Sequence, residues 1–157
     1  MSEHLHLPAS VTTAYAEISA TGNTTPTTVT TTATWYQITI FDTNGLSNDA
    51  TPDHTNDHIT VATTGTYRVM VTASISSGAG STALFECVVK KNDGVTTLDN
   101  LHFHRQLSGG GGDTGAASAS GLATLTAADT IELWVSNETN AVDILFEDVT
   151  MSIVQVA

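Results

Sequence analysis

The chain reads as an all-β protein, a single sandwich or barrel of about eight to ten antiparallel strands, and three observations predict it. Threonine supplies 29 of 157 residues, alongside many valines, isoleucines and alanines. Residues branched at Cβ suit a pleated, half-buried surface better than a helix. Every strong hydrophobic periodicity is two rather than 3.6. Turn chemistry recurs in "TGN", "DTNG", "TTG", "SSGAGS", "KNDG", "SGGGGDTG" and "TAAD", which divides the chain into strand-length pieces.

Residues 1 to 13, "MSEHLHLPASVTT", precede the first strand and read as an N-terminal attachment arm, leaving 14 to 157 as one domain. "AYAEISA" (14 to 20) is the first strand, and the threonine-rich tract 21 to 34 is an extended connection crossing a sheet edge or a mobile segment. "TWYQITIF" (34 to 41) is the second strand, followed by a polar loop, "FDTNGLSNDATPDHTNDHI", and by "HITVA" (58 to 62). In "TYRVMVTASIS" the alternation places Tyr67, Val69, Val71, Ala73 and Ile75 on one face and Arg68, Met70, Thr72 and Ser74 on the other, as a strand with one buried face requires. "ALFECVVKK" (83 to 91), "TLDNLHFHRQL" (97 to 107) and "ASASGLATLT" (117 to 126) follow. "TIELWVSN" then turns Ile131, Leu133 and Val135 inward and Glu132, Trp134 and Ser136 outward, before a last strand in "ILFEDVTMSIVQV" (144 to 156). A tryptophan on the outer face is either a surface aromatic partly covered by its own chain or a ring buried against a second subunit, since interfaces are enriched in tryptophan.

Composition narrows the function. Sixteen acidic residues against four basic ones give a formal charge of −12, a surface that repels nucleic acid and anionic lipid. No apolar run approaches the ~20 residues of a membrane span, and the N-terminus lacks the basic and apolar regions of a secretory signal. The expectation is a soluble chain made in a cytoplasm. Cys87 is the single cysteine, so no intrachain disulfide forms, and its apolar flanks in "FECVV" predict a buried, inert thiol.

No catalytic or cofactor-binding constellation emerges, and the expectation is a protein that is not an enzyme and needs no cofactor or metal. "SGGGGDTG" lacks the Gly-Lys-Ser/Thr ending and following helix of a phosphate loop. The donors Asp42, Asn44, Asp49, Asp53, His54, Asp57 and His58 match no calcium-loop spacing. In "LHFHR", His102 and His104 share one strand face, about 7 Å apart, while Leu101 and Phe103 take the core face. One such pair is too small for a closed zinc site; three copies on a threefold axis would supply enough nitrogens. His4 and His6 form a second pair.

The segments "HITVATTGTYRVMVTASIS", "ALFECVVKKNDG", "SASGLATLTAADTIELWVSN" and "ILFEDVTMSIVQV" together resemble the jelly roll of the tumour necrosis factor and complement globular-head superfamily. Gly65-x-Tyr67 opens the long strand, and Leu125, Asp129, Ile131 and Leu133 match the family's turn into the penultimate strand. Where the family usually has glycine before that aspartate, this chain has Ala128. The resemblance spans residues 58 to 156. The earlier residues are similar in texture to virion structural proteins of tailed bacteriophages that carry this jelly roll. The resemblance implies a homotrimer in which one sheet and one sandwich edge pack against a neighbour, with Tyr67, His102, His104 and Trp134 at or beside the interface. It further implies a decoration or cement protein on the capsid exterior. Leu5, Leu7, Pro8 and Val11 of the arm would contact the major capsid protein or other virion subunits. The alternative is the receptor-binding or carbohydrate-binding tip of a head or tail fibre, with a host-surface glycan as ligand.

Overall fold

A computed structural model describes residues 13–77, 81–109 and 113–157 of the chain. In chain order the strands are β1 (Tyr15–Thr21), β2 (Tyr36–Gln37), β3 (Thr43–Asn48), β4 (Ala50–Asp53), β5 (His58–Val61), β6 (Gly65–Ser77), β7 (Ala83–Lys91), β8 (Thr96–Leu107), β9 (Thr114–Leu125), β10 (Thr130–Asn137) and β11 (Ile144–Gln155). No residue among those described is helical. A five-stranded antiparallel sheet runs β3-β1-β11-β6-β9 and packs on a second sheet that runs β4-β5-β10-β7-β8, with β2 paired to β10. The all-β sandwich expected from the alternation is therefore present.

The alternating residues meet between the sheets. Ile18, Tyr67, Val69, Val71, Ile75 and Ile153 from the first sheet face Phe85, Cys87, Val89, Leu101, Leu107, Ile131, Leu133 and Val135 from the second, and all are fully buried. Each large apolar side chain removed from water in this way stabilises the fold by about 1.5–3 kcal/mol. Tyr67 keeps its hydroxyl satisfied by donating to the Thr63 carbonyl at 2.6 Å.

Two segments depart from expectation. Residues 34 to 41 form only the two-residue β2. Ile38 and Phe41 pack into the core, three residues apart and so not in strand alternation, and the backbone departs after one further bond from Ile38 N to the Leu133 carbonyl. Conversely, the polar stretch read as a loop contains β3 and β4, at the outer edge of each sheet. An edge strand is made by pairing to one neighbour, so "TNGLSN" needs no buried stripe. Between the two, Asp49 adopts a φ of +48° and carries the chain from one sheet to the other. The threonine-rich tract does cross the end of the sandwich, pairing Thr27 with Ile144 and donating from Val29 N to Asp143.

The β9–β10 turn preserves its left-handed residue without glycine. Ala128 has a φ of +73°, and its N–H donates to the Val61 carbonyl. Asp129 accepts from Thr126 N, Lys91 Nζ and Asn92 Nδ2 at 3.0, 2.8 and 2.8 Å. Partial burial would raise this carboxyl, but those hydrogen bonds and the adjacent ammonium outweigh it and hold the group at about 2.

Candidate functional site

Two outward sheet faces carry the residues that matter. On the six-stranded sheet, cross-strand pairing sets Trp134 opposite Val88 and Val88 opposite His102, with Glu86 opposite His104 one step along. The Glu86 carboxylate lies 3.7 Å from His102 Nε2 and 3.4 Å from His104 Nδ1. The two imidazole centroids are 4.4 Å apart, and Trp35 meets His102 edge-on at 6.0 Å. Lys90 sits between two tryptophans, its Nζ 4.7 Å from the Trp35 ring and 5.0 Å from the Trp134 ring, a cation–π arrangement on both sides. Burial lowers the Lys90 ammonium from its ordinary value.

Several expected interface residues find partners within their own chain. Trp134 does point outward, but the β7–β8 turn lies over it. Gly94 has a φ of +77°, and a Cβ there would come within 2.6 Å of the indole. Glu132 anchors that turn by accepting from Asp93 N and Gly94 N at 3.3 and 3.4 Å and from the Thr130 hydroxyl. Of the two readings of Trp134, the partly covered surface aromatic is met in part within the chain, by the turn at Gly94. Tyr67, expected at the interface, is fully buried in its own core and offers no surface to a neighbour. His102 and His104 remain accessible, with side chains 29% and 50% exposed. The arm residues Leu5, Leu7, Pro8 and Val11, with His4 and His6, lie outside the described residues.

The other candidates resolve into structure. Burial pushes the Cys87 thiol well above its ordinary value, which makes it a poor nucleophile. In the polar segment, Asp53 accepts from Thr55 N and Asn56 N, Asn44 accepts from His54 N, and Asp57 accepts from Phe41 N at 3.0 Å. These donors are spent on turns, not gathered around a cation. Glu86 is the residue sequence reasoning missed. Alternation in "ALFECVVKK" does put it outward, but only the β7–β8 register sets it beside the histidines.

The outward face of the five-stranded sheet is built from four cross-strand rows: Tyr15-Val154-Arg68-Leu122, Glu17-Ser152-Met70-Ser120, Ser19-Thr150-Thr72-Ser118 and Thr21-Asp148-Ser74-Ala116. Within these rows Glu17, Asp148 and Arg68 are the charged residues. Apolar groups gather at one end, where Tyr15, Leu46 and Leu122 are 39%, 81% and 50% exposed. Serine, threonine and alanine fill the other end and line a shallow depression between β6, β9 and β11.

This two-sheet arrangement is a tumour necrosis factor-like jelly roll. The structure of Eiger TNF from S. frugiperda superposes with a TM-score of 0.61 at 16% identity, covering 92% of this chain and 93% of that one. Murine APRIL at pH 5.0 gives 0.60 at 12% identity, and at pH 8.0 gives 0.56 at 13%, each covering 92% of this chain and 100% of that one. No protein-family model and no curated protein sequence matches the chain.

Proposed function

We propose that the chain is a homotrimeric structural protein of a phage virion, a decoration or cement protein that binds and stabilises the capsid exterior and performs no catalysis. The observation that carries self-association is the outward face of the five-stranded sheet. A sheet face ending in exposed Tyr15, Leu46 and Leu122, with mostly serine, threonine and alanine over the rest, is the kind of surface that supports association. The small side chains at its other end permit close backbone approach. A trimer is the assembly that the sequence resemblance implies for such a face. The acidic remainder of the surface keeps many copies apart on a crowded shell. The virion placement rests on the texture of the first third of the chain, and attachment is assigned to the N-terminal arm.

Sedimentation at micromolar concentration tests the assembly, and a trimer is expected. Deleting residues 2 to 13 should leave that trimer intact but unable to join particles. A clean monomer would remove the first part of the reading. Full-length protein that binds host cells without virions would replace the second with a receptor-binding fibre tip.

A further inference from the structure

The geometry points to a divalent transition-metal site formed by Glu86, His102 and His104 on the outward face of β7 and β8. All three residues project from paired strands. Glu86 and His104 are directly opposite one another, and His102 lies two residues along the same face, so the sheet backbone itself holds the donors in position. A single chain supplies the whole set, and no symmetry axis is needed.

The separations lie within ion-pair range and also suit a cation held by all three groups. The separations of 3.4 and 3.7 Å between carboxylate and imidazole are longer than hydrogen bonds. One donor atom from each of the three residues falls within 4.8 Å of the others. Donors bound at 2.0–2.2 Å around a tetrahedral zinc ion stand about 3.3–3.6 Å apart. Small side-chain rotations on a partly exposed face therefore complete the shell without moving the strands. Two imidazoles and one carboxylate select borderline ions such as zinc, cobalt, nickel or copper, whereas calcium and magnesium require oxygen ligands. The nearest basic residue on that face of β7, Lys90, is held between tryptophans and does not compete for the carboxylate. Three protein donors leave one tetrahedral position open toward solvent, where water or a donor from another surface binds. Trp35, edge-on to His102 at 6.0 Å, packs beside the first ligand and provides a reporter.

The test uses full-length, untagged protein stripped with chelator and titrated with zinc by calorimetry, and with copper by tryptophan fluorescence. One zinc per chain is expected, together with copper quenching that Trp35→Phe greatly reduces while zinc binding persists. His102→Ala and His104→Ala should each weaken zinc by more than the roughly 10- to 100-fold that loss of an outer-shell partner costs, and Glu86→Gln should weaken it measurably. A His4→Ala/His6→Ala variant should bind normally. Circular dichroism of each variant confirms that the fold persists, as expected for partly exposed side chains. Absence of zinc binding by the wild type, or binding undiminished in both His102→Ala and His104→Ala, would overturn the assignment.

Discussion

Ala128 holds a left-handed backbone conformation, φ +73°, that costs an L-residue with a Cβ about 1–2 kcal/mol and glycine very little. The turn keeps this geometry because Asp129 and the bond from Ala128 N to Val61 over-determine it. Ala128→Gly should accordingly stabilise the protein by about 1 kcal/mol, less the extra entropy glycine adds to the unfolded chain, as read by urea unfolding. A second residue-scale effect concerns Asp57, whose carboxyl is pushed up to about 6, chiefly by burial, against the opposing bond from Phe41 N and the neighbouring His54 and His58. With the folded value above the ordinary 3.8, the folded state binds the proton more tightly. The associated stability is complete below about 3.8 and is lost as pH rises through about 6. Asp57→Asn retains an acceptor for Phe41 N and removes the charge. The variant should gain on the wild type as pH rises from about 4 to about 7, by at most about 3 kcal/mol, in thermal melts across that range.

Turns, more than strands, carry the specific electrostatics of the elements. The β9–β10 turn and the end of β7 are joined through Asp129, which binds Lys91 and Asn92 on one side and Thr126 N on the other. Because that carboxyl sits at about 2, below its ordinary value, its contribution is present above about pH 4 and disappears as pH falls toward 2. Asp129→Asn should cost about 2 kcal/mol at neutral pH, and the gap to the wild type should close on acidification, checked by denaturant midpoints at several pH values. The β7–β8 turn is likewise held by one carboxylate. Buried Glu132 receives two backbone amides, and Gly94 lets the chain lie on Trp134. The edge strands β3 and β4 illustrate the converse. β3 follows no apolar stripe and β4 only the short one of Ala50 and Pro52, and each is defined by hydrogen bonds to β1 or β5.

At the scale of the whole molecule, the two faces differ in chemistry. One presents four rows containing three charges; the other presents Glu86, His102, His104, Lys90 and two tryptophans. If the first face mediates trimer formation, Leu122→Arg places a second guanidinium beside Arg68 in the same row and should shift the sedimenting species from trimer to monomer. The melting temperature of the monomeric fold should change little, because Leu122 is half exposed. A variant that still sediments as a trimer would move the interface elsewhere. The metal site lies on the opposite sheet, so its occupancy and the state of association should be independent, and zinc titration of Leu122→Arg measures that directly.

What the sequence by itself determined about this protein was everything governed by near neighbours. The alternation in β6 and β10 identifies Tyr67 to Ile75 and Ile131 to Val135 as core, because period two follows from strand geometry alone. The Leu125-to-Leu133 motif marks the β9–β10 turn even though Ala128 stands in the glycine's place. Tertiary structure decided what depends on register and crossing. That Glu86 lies opposite His104, that the turn at Gly94 lies against Trp134, and that Tyr15, Val154, Arg68 and Leu122 share one row all follow from which strand pairs with which. A one-residue slip would turn each of those side chains to the other face. The alternation in each segment assigns a face to a residue, but the neighbour across the sheet comes from a segment tens of residues away, positioned by the packing of the whole sandwich.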